Sequence, residues 1–504
     1  MSSIKRMVSN TFYLFLNLFS STLLSILYFI IAGKLLTPSE YGIANSTIQF
    51  VALITAFSTI GMTNATLKLV SEYFATKKMK KLYGSVKYCL KFLLVANIPI
   101  SVFIFIFSPT LATYIFKDPN LAPPFRISAF MIMVLTLSSY FGSVIYGLGK
   151  VKIYFLTDFL ANATKVLLAV ILIVFLKLGF WGPIIGYFLG LTFSTVMRFK
   201  KMGIEDDGEP DKKVIWQYAL PALITTIFGT ILTTTPVLIL SSFSSTTEAG
   251  VFSLVNALAS LLMFMPNVLY TASFPIFSGM HGKKDRSGIE KLLNVTFKYA
   301  ILISVPISLV FIVFPEFMIR LVAKPAYLPG VTTLSVLGMV GLFWGIGNIL
   351  LNALYALGKP KINRNIMLGT SIIYLILSVP LSIHYASLGM ATTYLIAISF
   401  LFFSSFFFIR KFYRLHLDYK YLIKILSSSF IALIILITLM SGSDSVYMFI
   451  IISLISFAFY IFLLLILKTF DVNDLKFLNE SKKMSPKKLL FIFEFLEKLL
   501  KKFL

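Results

Sequence analysis

Uncharged, largely apolar stretches of 18 or more residues recur from one end of this chain to the other, among them those beginning at Ile43, Val214 and Val331. Each is long enough to cross a hydrocarbon core of about 30 Å at about 1.5 Å per residue. Only 13% of the residues are charged and 58% are hydrophobic, against roughly 25% charged in an ordinary soluble domain. A water-soluble fold made of such stretches would have almost no surface to offer water. In lipid, backbone polar groups must be satisfied within each crossing segment, so the stretches predict helices. The expected fold class is an all-α integral membrane protein of about fourteen spans. They fall near 11–33, 43–67, 92–108, 127–148, 154–176, 180–197, 214–240, 249–277, 299–315, 331–357, 365–384, 388–409, 425–441 and 446–467.

Charge sets the orientation. Nearly all of the 45 lysines and arginines fall in loops on one side of these spans, while the other side keeps Lys34, Lys117, Arg126, Lys177, Arg320 and Lys324. Short loops rich in Lys and Arg stay in the cytoplasm, which places both termini there, in a plasma or inner membrane. Arg198 counts among the cytoplasmic charges in this reading. The net charge of +25 is thus spread over loops that meet anionic lipid head groups. It forms no basic domain for nucleic acid. Lys5 and Arg6 precede the first apolar run as in a signal peptide, but the run is too long for an h-region and reads as a retained helix. Cys89 is the single cysteine, so no intramolecular disulfide is expected. His281, His384 and His416 lie in separate loops without metal-ligand spacing. No cofactor is expected. In the tail, Leu489, Phe493, Leu496, Leu500 and Phe503 recur at helical spacing after Ser485-Pro486, which predicts an amphipathic helix on the cytoplasmic leaflet.

The chain repeats itself at an offset of about 208 residues. Thr37-Pro-Ser-Glu40-Tyr-Gly42 answers Ser245-Thr-Thr-Glu248-Ala-Gly250, and Lys77-Lys78 answers Lys283-Lys284. Tyr146-Gly-Leu-Gly149-Lys150 answers Tyr355-Ala-Leu-Gly358-Lys359, and Leu178-Gly179 answers Leu388-Gly389. Six spans per repeat preserve orientation, so the halves are parallel repeats. The expected organisation is an N-lobe at 1–198, a cytoplasmic linker at 199–213, a C-lobe at 214–409, two further helices at 410–467 and a basic tail at 468–504. The acidic run Glu205–Asp211 is read as the linker that lets one lobe rock against the other. Glu40 and Glu248 each stand third after a Ser or Thr at a helix start, the pattern of a capping box.

Leu36-Thr-Pro-Ser-Glu-Tyr-Gly42, the Gly-Leu-Gly-Lys150 and Ala-Leu-Gly-Lys359 turns and the 6+6+2 plan together resemble the oligosaccharide flippases of polysaccharide biosynthesis. These are a branch of the multidrug/oligosaccharidyl-lipid/polysaccharide exporter superfamily. The resemblance covers roughly residues 1–467. It implies a V-shaped bundle of two six-helix lobes around a cavity bordered by the first, second, seventh and eighth helices. It also implies export of polyprenyl-(pyro)phosphate-linked glycan by alternating access.

Polar residues within the spans are the candidate substrate-binding residues. A lysine at mid-bilayer costs about 2.5–3.5 kcal/mol on insertion scales, so it faces a partner or a watery path. Lys165 lies ~16 Å into the fifth span. Asp158, Asn162 and Lys165 share one helix face at i, i+4 and i+7, and Asn162 is placed to bridge the two charges. One reading aims Lys165 at a lipid pyrophosphate or an acidic sugar; the other makes it a structural contact. The residue answering it in the second half is about Tyr374, so the charge is not part of the repeated scaffold. Polar stripes add Asn17, Ser21 and Ser25 on the first helix, and Asn45 and Gln49 on the second. Thr226, Thr230 and Thr233 lie on the seventh, Asn256, Ser260, Asn267 and Thr271 on the eighth, and Asn348 and Asn352 on the tenth. Such stripes either pack helices through hydrogen bonds or bind sugar.

The glycine-lysine turns lack the G-x-x-x-x-G-K-[ST] spacing of a nucleotide-binding loop. Energy would then come from an ion gradient, H+ or Na+, or from the membrane potential. That potential is worth about 2.3 kcal/mol per charge per 100 mV, or roughly 4–5 kcal/mol for a pyrophosphate. The residues and the resemblance favour a flippase for lipid-linked oligosaccharide over an enzyme such as a membrane glycosyltransferase or polymerase. A multidrug or cation exporter of the same superfamily and a lipid II flippase are the alternatives.

Overall fold

The computed structural model describes residues 3–203, 208–415, 419–441 and 445–470. The amphipathic helix expected in the tail and the first three residues of the acidic run, Glu205, Asp206 and Asp207, fall outside the described residues. The first half forms α1 (Ser3–Leu35), α2 (Pro38–Ser58), α3 (Met62–Ala75), α4 (Met79–Thr110), α5 (Ala122–Gly147), α6 (Val151–Val174) and α7 (Trp181–Met202). The second forms α8 (Lys212–Phe243), α9 (Thr246–Ala259), α10 (Leu261–Gly282), α11 (Arg286–Val313), the short α12 (Pro315–Val322), α13 (Val331–Ala356) and α14 (Pro360–Phe412). Two more follow, α15 (Tyr419–Met440) and α16 (Val446–Ile466). No strand occurs among the described residues.

Ten of these stretches are long and apolar enough to cross a membrane, and two bent pairs, α2 with α3 and α9 with α10, raise the number to as many as twelve. α14 is two helices joined at Ala386, whose φ of 49° and ψ of −128° are not helical. With its two arms taken separately and the glycine-bearing α7 included, the segments match the expected spans one for one. The second span of each half is bent, by 59° and 44°. In the first half the bend falls at Gly61, with φ of +71°, where a Cβ would strike the Ala219 carbonyl. Only glycine lets α3 lie this close to the start of α8.

The helices group into two compact units. One comprises Met1–Ala257, Val322–Thr333 and Ser371–Tyr394, and the other Leu258–Leu321, Leu334–Thr370 and Leu395–Leu504. The first unit therefore contains the whole first half together with α8, most of α9 and parts of α12 to α14.

At one end of that unit the loops the charge pattern assigns to the outer side are tied together. Thr37 and Glu40 complete a full capping box at the start of α2. The Glu248 N–H donates to the Ser245 hydroxyl, and the Glu248 carboxylate accepts from the Ser387 N–H at 3.2 Å instead of closing a second box. Asp118 accepts from Thr246 at 2.9 Å, Lys34 donates to the Ala323 carbonyl at 3.3 Å, and Lys324 to that of Leu35 at 2.8 Å. The repeat is visible in the packing itself. A Cβ on Gly42 would overlap the Thr246 carbonyl, and a Cβ on Gly250 would overlap that of Pro38. These are the same pair of positions exchanged between the halves. Likewise Ser46 hydrogen-bonds Ser241, and the mirrored pair Leu254 and Gly33 are also in contact.

At the basic end of this unit, Gly208 lies against Lys80 and Gly84 so closely that neither glycine could carry a Cβ. Lys81 pairs with Asp211 at 3.3 Å. This part of the expected linker is therefore docked on α4. Aromatic stacking fills the interior, with Phe50 and Phe125 at 4.6 Å. In the second unit, α15 and α16 pack on α11, where the Tyr460 hydroxyl donates to the Leu302 carbonyl at 2.8 Å. Beside that bond lies an apolar cavity of about 290 Å³, lined by residues that include Pro306, Phe311, Leu436 and Phe457.

Candidate functional site

Eight of the ten candidate residues (Asn17, Ser21, Asp158, Asn162, Lys165, Thr226, Thr230 and Asn256) fall in the first unit, and Ser260 and Asn348 in the second. The structure divides the first group further. Asp158 pairs with Arg198 at 3.1 Å and accepts a hydrogen bond from Ser21 at 3.3 Å; Ser21 also contacts the Asn17 side chain at 3.1 Å. Asn17, Ser21 and Asp158 thus form one network across α1, α6 and α7.

Arg198 is its centre. Its side chain is 6% exposed, so it turns into the bundle and is not a loop charge. Its guanidinium donates to Thr157, to the carbonyl and hydroxyl of Ser138, and to Asp158. A buried guanidinium needs this full set of acceptors, because a charge taken out of water costs several kcal/mol unless paired and hydrogen-bonded. Sequence alone gave a weak pointer: Ser194 and Arg198 stand four apart, and Arg198 is the first charge along α7, ahead of Lys200 and Lys201 in its last turn. Ser194 faces Ser138 in turn. Asn162 does not bridge the two charges of α6; its amide donates to the Asp158 carbonyl at 3.0 Å, one turn back along its own helix. The helical spacing was right, but the nearer backbone acceptor takes the amide.

Lys165 stands apart from this network. It lies ~21 Å from the start of α6 and ~14 Å from its end. Its Nζ sits 4.1 Å from the centre of the Tyr28 ring and 5.4 Å from that of Tyr187. No carboxylate among the described residues pairs with it. Two ring faces are worth about 0.5–2 kcal/mol each, which offsets much of the insertion cost but leaves the positive charge in place. Gly186 and Gly190 on α7 bring that helix against the Lys165 backbone, within 2.9 Å and 3.3 Å of where their Cβ atoms would be. The small residues thus set the lysine's distance from Tyr187.

The polar stripes hydrogen-bond partly between helices and partly within them. Thr226 accepts from Asn64 on α3 at 3.0 Å. The Thr230 carbonyl receives the hydroxyls of Thr233 and Thr234, in the run that precedes Pro236. Asn256 is half-buried on α9 and Ser260 is exposed at the α9–α10 bend. The side chain of Thr271 falls outside the described ones. In the second unit Asn348 donates to Asn267 at 3.3 Å and accepts from Asn352 at 2.7 Å. These three amides form a ladder between α10 and α13. No cluster of His, Cys, Asp or Glu able to hold a metal occurs among the described residues.

The fold has counterparts in solved structures. A lipid II flippase, MurJ, in an inward closed conformation superposes with a TM-score of 0.73 at 18% identity, over 92% of this chain and 98% of that one. An inward-facing multidrug resistance MATE family transporter of the MOP superfamily gives 0.65 at 13% identity, over 77% and 95%. A MOP superfamily transporter from Pyrococcus furiosus, described by the reverse polarity of its binding pocket, gives 0.56 at 13%, over 81% and 96%. No curated protein matches the chain by sequence. The profile of the MatE family matches residues 221–383. The profile described as polysaccharide biosynthesis protein matches residues 7–281, more than half of the chain. With its helical bundle, its two repeats and its transporter fold, this multi-pass membrane protein belongs to the polysaccharide biosynthesis protein family.

Proposed function

We propose that the chain is a flippase that carries polyprenyl-(pyro)phosphate-linked oligosaccharide from the cytoplasmic to the outer leaflet by alternating access. The six-helix halves at 1–198 and 214–409 are its moving lobes, and both termini face the cytoplasm of a plasma membrane. One observation carries the reading beyond family membership: Lys165 is a cation deep in α6 with two rings beside it and no carboxylate paired with it among the described residues. Asp158, seven residues back along α6, is paired with Arg198. A path through lipid with one uncompensated positive charge favours an anionic cargo and disfavours cationic drugs. The apolar cavity beside Tyr460 offers room for part of a polyprenyl chain. A carrier of this kind needs no catalytic residues, and the membrane potential or a coupled H+ or Na+ supplies the energy.

Deleting the gene tests this directly: a lipid-linked sugar should accumulate facing the cytoplasm. Lys165→Ala should reproduce that accumulation at near-normal protein abundance. Unchanged lipid-linked sugars together with increased sensitivity to cationic dyes would instead make the chain an exporter. The superposition on MurJ over nearly its whole length supports a second reading, lipid II as cargo, which the identity of the accumulated lipid distinguishes.

A further inference from the structure

One face of the second unit sets amides beside aromatic rings. Asn348 on α13 donates to Asn267 on α10 at 3.3 Å, and Asn352 donates to Asn348 at 2.7 Å. Seven residues beyond Asn267 and Asn348 stand Phe274 and Tyr355, whose rings stack at 6.1 Å with planes 25° apart. Tyr270 meets Phe274 edge-on at 5.8 Å. The two helices therefore run side by side in the same direction. Their amide layer and their ring layer lie two turns, about 10 Å, apart.

This face is open. Tyr355 is 53% exposed, Asn267 is exposed, and Asn348, Asn352 and Phe274 are half-buried. Hydrocarbon offers an amide no hydrogen-bond partner, so an exposed asparagine within a span faces water and not lipid tails. The ladder does not exhaust its amides either. An asparagine side chain has two donor hydrogens and two acceptor lone pairs. Asn348 uses one of its hydrogens, and the Asn352 side-chain oxygen accepts from no donor among the described residues. The repeat aligns Asn348 and Asn352 with Ser139 and Ser143, so the amides are not part of the shared scaffold.

Spare amide donors and acceptors match hydroxyl and acetamido groups, which both give and receive hydrogen bonds. A pyranose ring also has a face of C–H bonds that packs on an aromatic ring. Charge is missing from the stripe: α13 has no charged residue, and α10 has none before His281 near its end. An acidic sugar would bring its carboxylate here without a counter-ion.

We infer that Asn267, Asn348, Asn352 and Tyr355 form a binding face for uncharged sugar within the second half, with the rings taking its C–H face and the amides its polar groups. That this sugar belongs to a lipid-linked cargo rests on the flippase reading; the binding face itself does not.

Purified full-length protein in nanodiscs tests it without any transport measurement. Asn267→Cys, in a Cys89→Ser background, is labelled with a polar maleimide in the presence of cellobiose, diacetylchitobiose or cellobiouronic acid. The cysteine should react, and both uncharged disaccharides should slow the reaction saturably. Tyr355→Leu and Asn348→Leu should each raise the half-protecting concentration about tenfold, while Tyr355→Phe, which keeps the ring, should leave it within about twofold. Tyr355 is exposed, so its variants test the face even where Asn348→Leu disturbs the helix pair. An unreactive cysteine places the stripe against lipid or in a dry seam and overturns the proposal. So does labelling that neither uncharged sugar slows, protection by cellobiouronic acid alone, or protection unchanged in Tyr355→Leu. Because binding is read on purified protein, such a failure is separate from any failure of the gene deletion to accumulate lipid-linked sugar.

Discussion

Gly42→Ala should loosen the seam at the end of the first unit that the loop charges assign to the outer side. A Cβ at Gly42 falls inside the Thr246 carbonyl, whereas ordinary contact begins at 3.4 Å. The obstacle is helix backbone, which cannot rotate away as a flexible side chain would. α2 and α9 must therefore separate by more than about 1 Å, with loss of the close contacts between them. Overpacking of this kind costs about 1–3 kcal/mol. If the seam opens during transport, that cost falls on the closed state alone and raises the open-to-closed ratio about 5–150-fold. The assay is labelling of Ser46→Cys, placed in a Cys89→Ser background, by a membrane-impermeant maleimide added outside intact cells. Ser46 is fully buried and bonded to Ser241 across the seam, so its cysteine should react slowly with Gly42 present and at least about 5-fold faster in Gly42→Ala. Gly250→Ala, which meets the Pro38 carbonyl in the mirrored way, should do the same. Equal labelling rates with and without Gly42→Ala, in protein that melts normally, would refute the reasoning that backbone contact holds the seam shut.

Three other outcomes follow from named contacts. Asp158→Ala should destabilise the protein by about 3 kcal/mol by leaving the Arg198 guanidinium without its anion, seen as a lower Tm; Asp158→Leu with Arg198→Met should recover most of the loss. Tyr460→Phe strips the Leu302 carbonyl of its donor and should cost about 1–3 kcal/mol, with export retained if this contact only anchors α16. Gly84→Ala should dislodge the segment at Gly208 from α4, and protease cleavage near Glu209 should become faster.

How far the sequence reached depended on the range of the interaction. The spans, the capping box at Thr37 and Glu40 and the repeat of Gly42 in Gly250 are written in local composition and in spacing, and they appear in the structure as read. Lys165 stood out because a charge within an apolar run is costly wherever its neighbours lie. Arg198 did not, because a cation at the end of a helix is usually a loop charge. Only the approach of α5 and α6 supplies the acceptors at Ser138, Thr157 and Asp158 that make it a buried one. Asn162 was misjudged for a related reason: helical spacing shows which side chains share a face, but not that a backbone carbonyl one turn back competes for the same amide.

Lipid leaves a chain few ways to satisfy its backbone, so hydrophobic length and loop charge alone determined that this protein is a helical membrane bundle and suggested how it is oriented. Which polar groups end up opposite one another is a matter of helix rotation and approach, set by side chains far apart in the chain. The tertiary structure therefore decided that Asp158 belongs to Arg198, that Lys165 is left among Tyr28 and Tyr187, and that two glycines one repeat apart close on each other's helix.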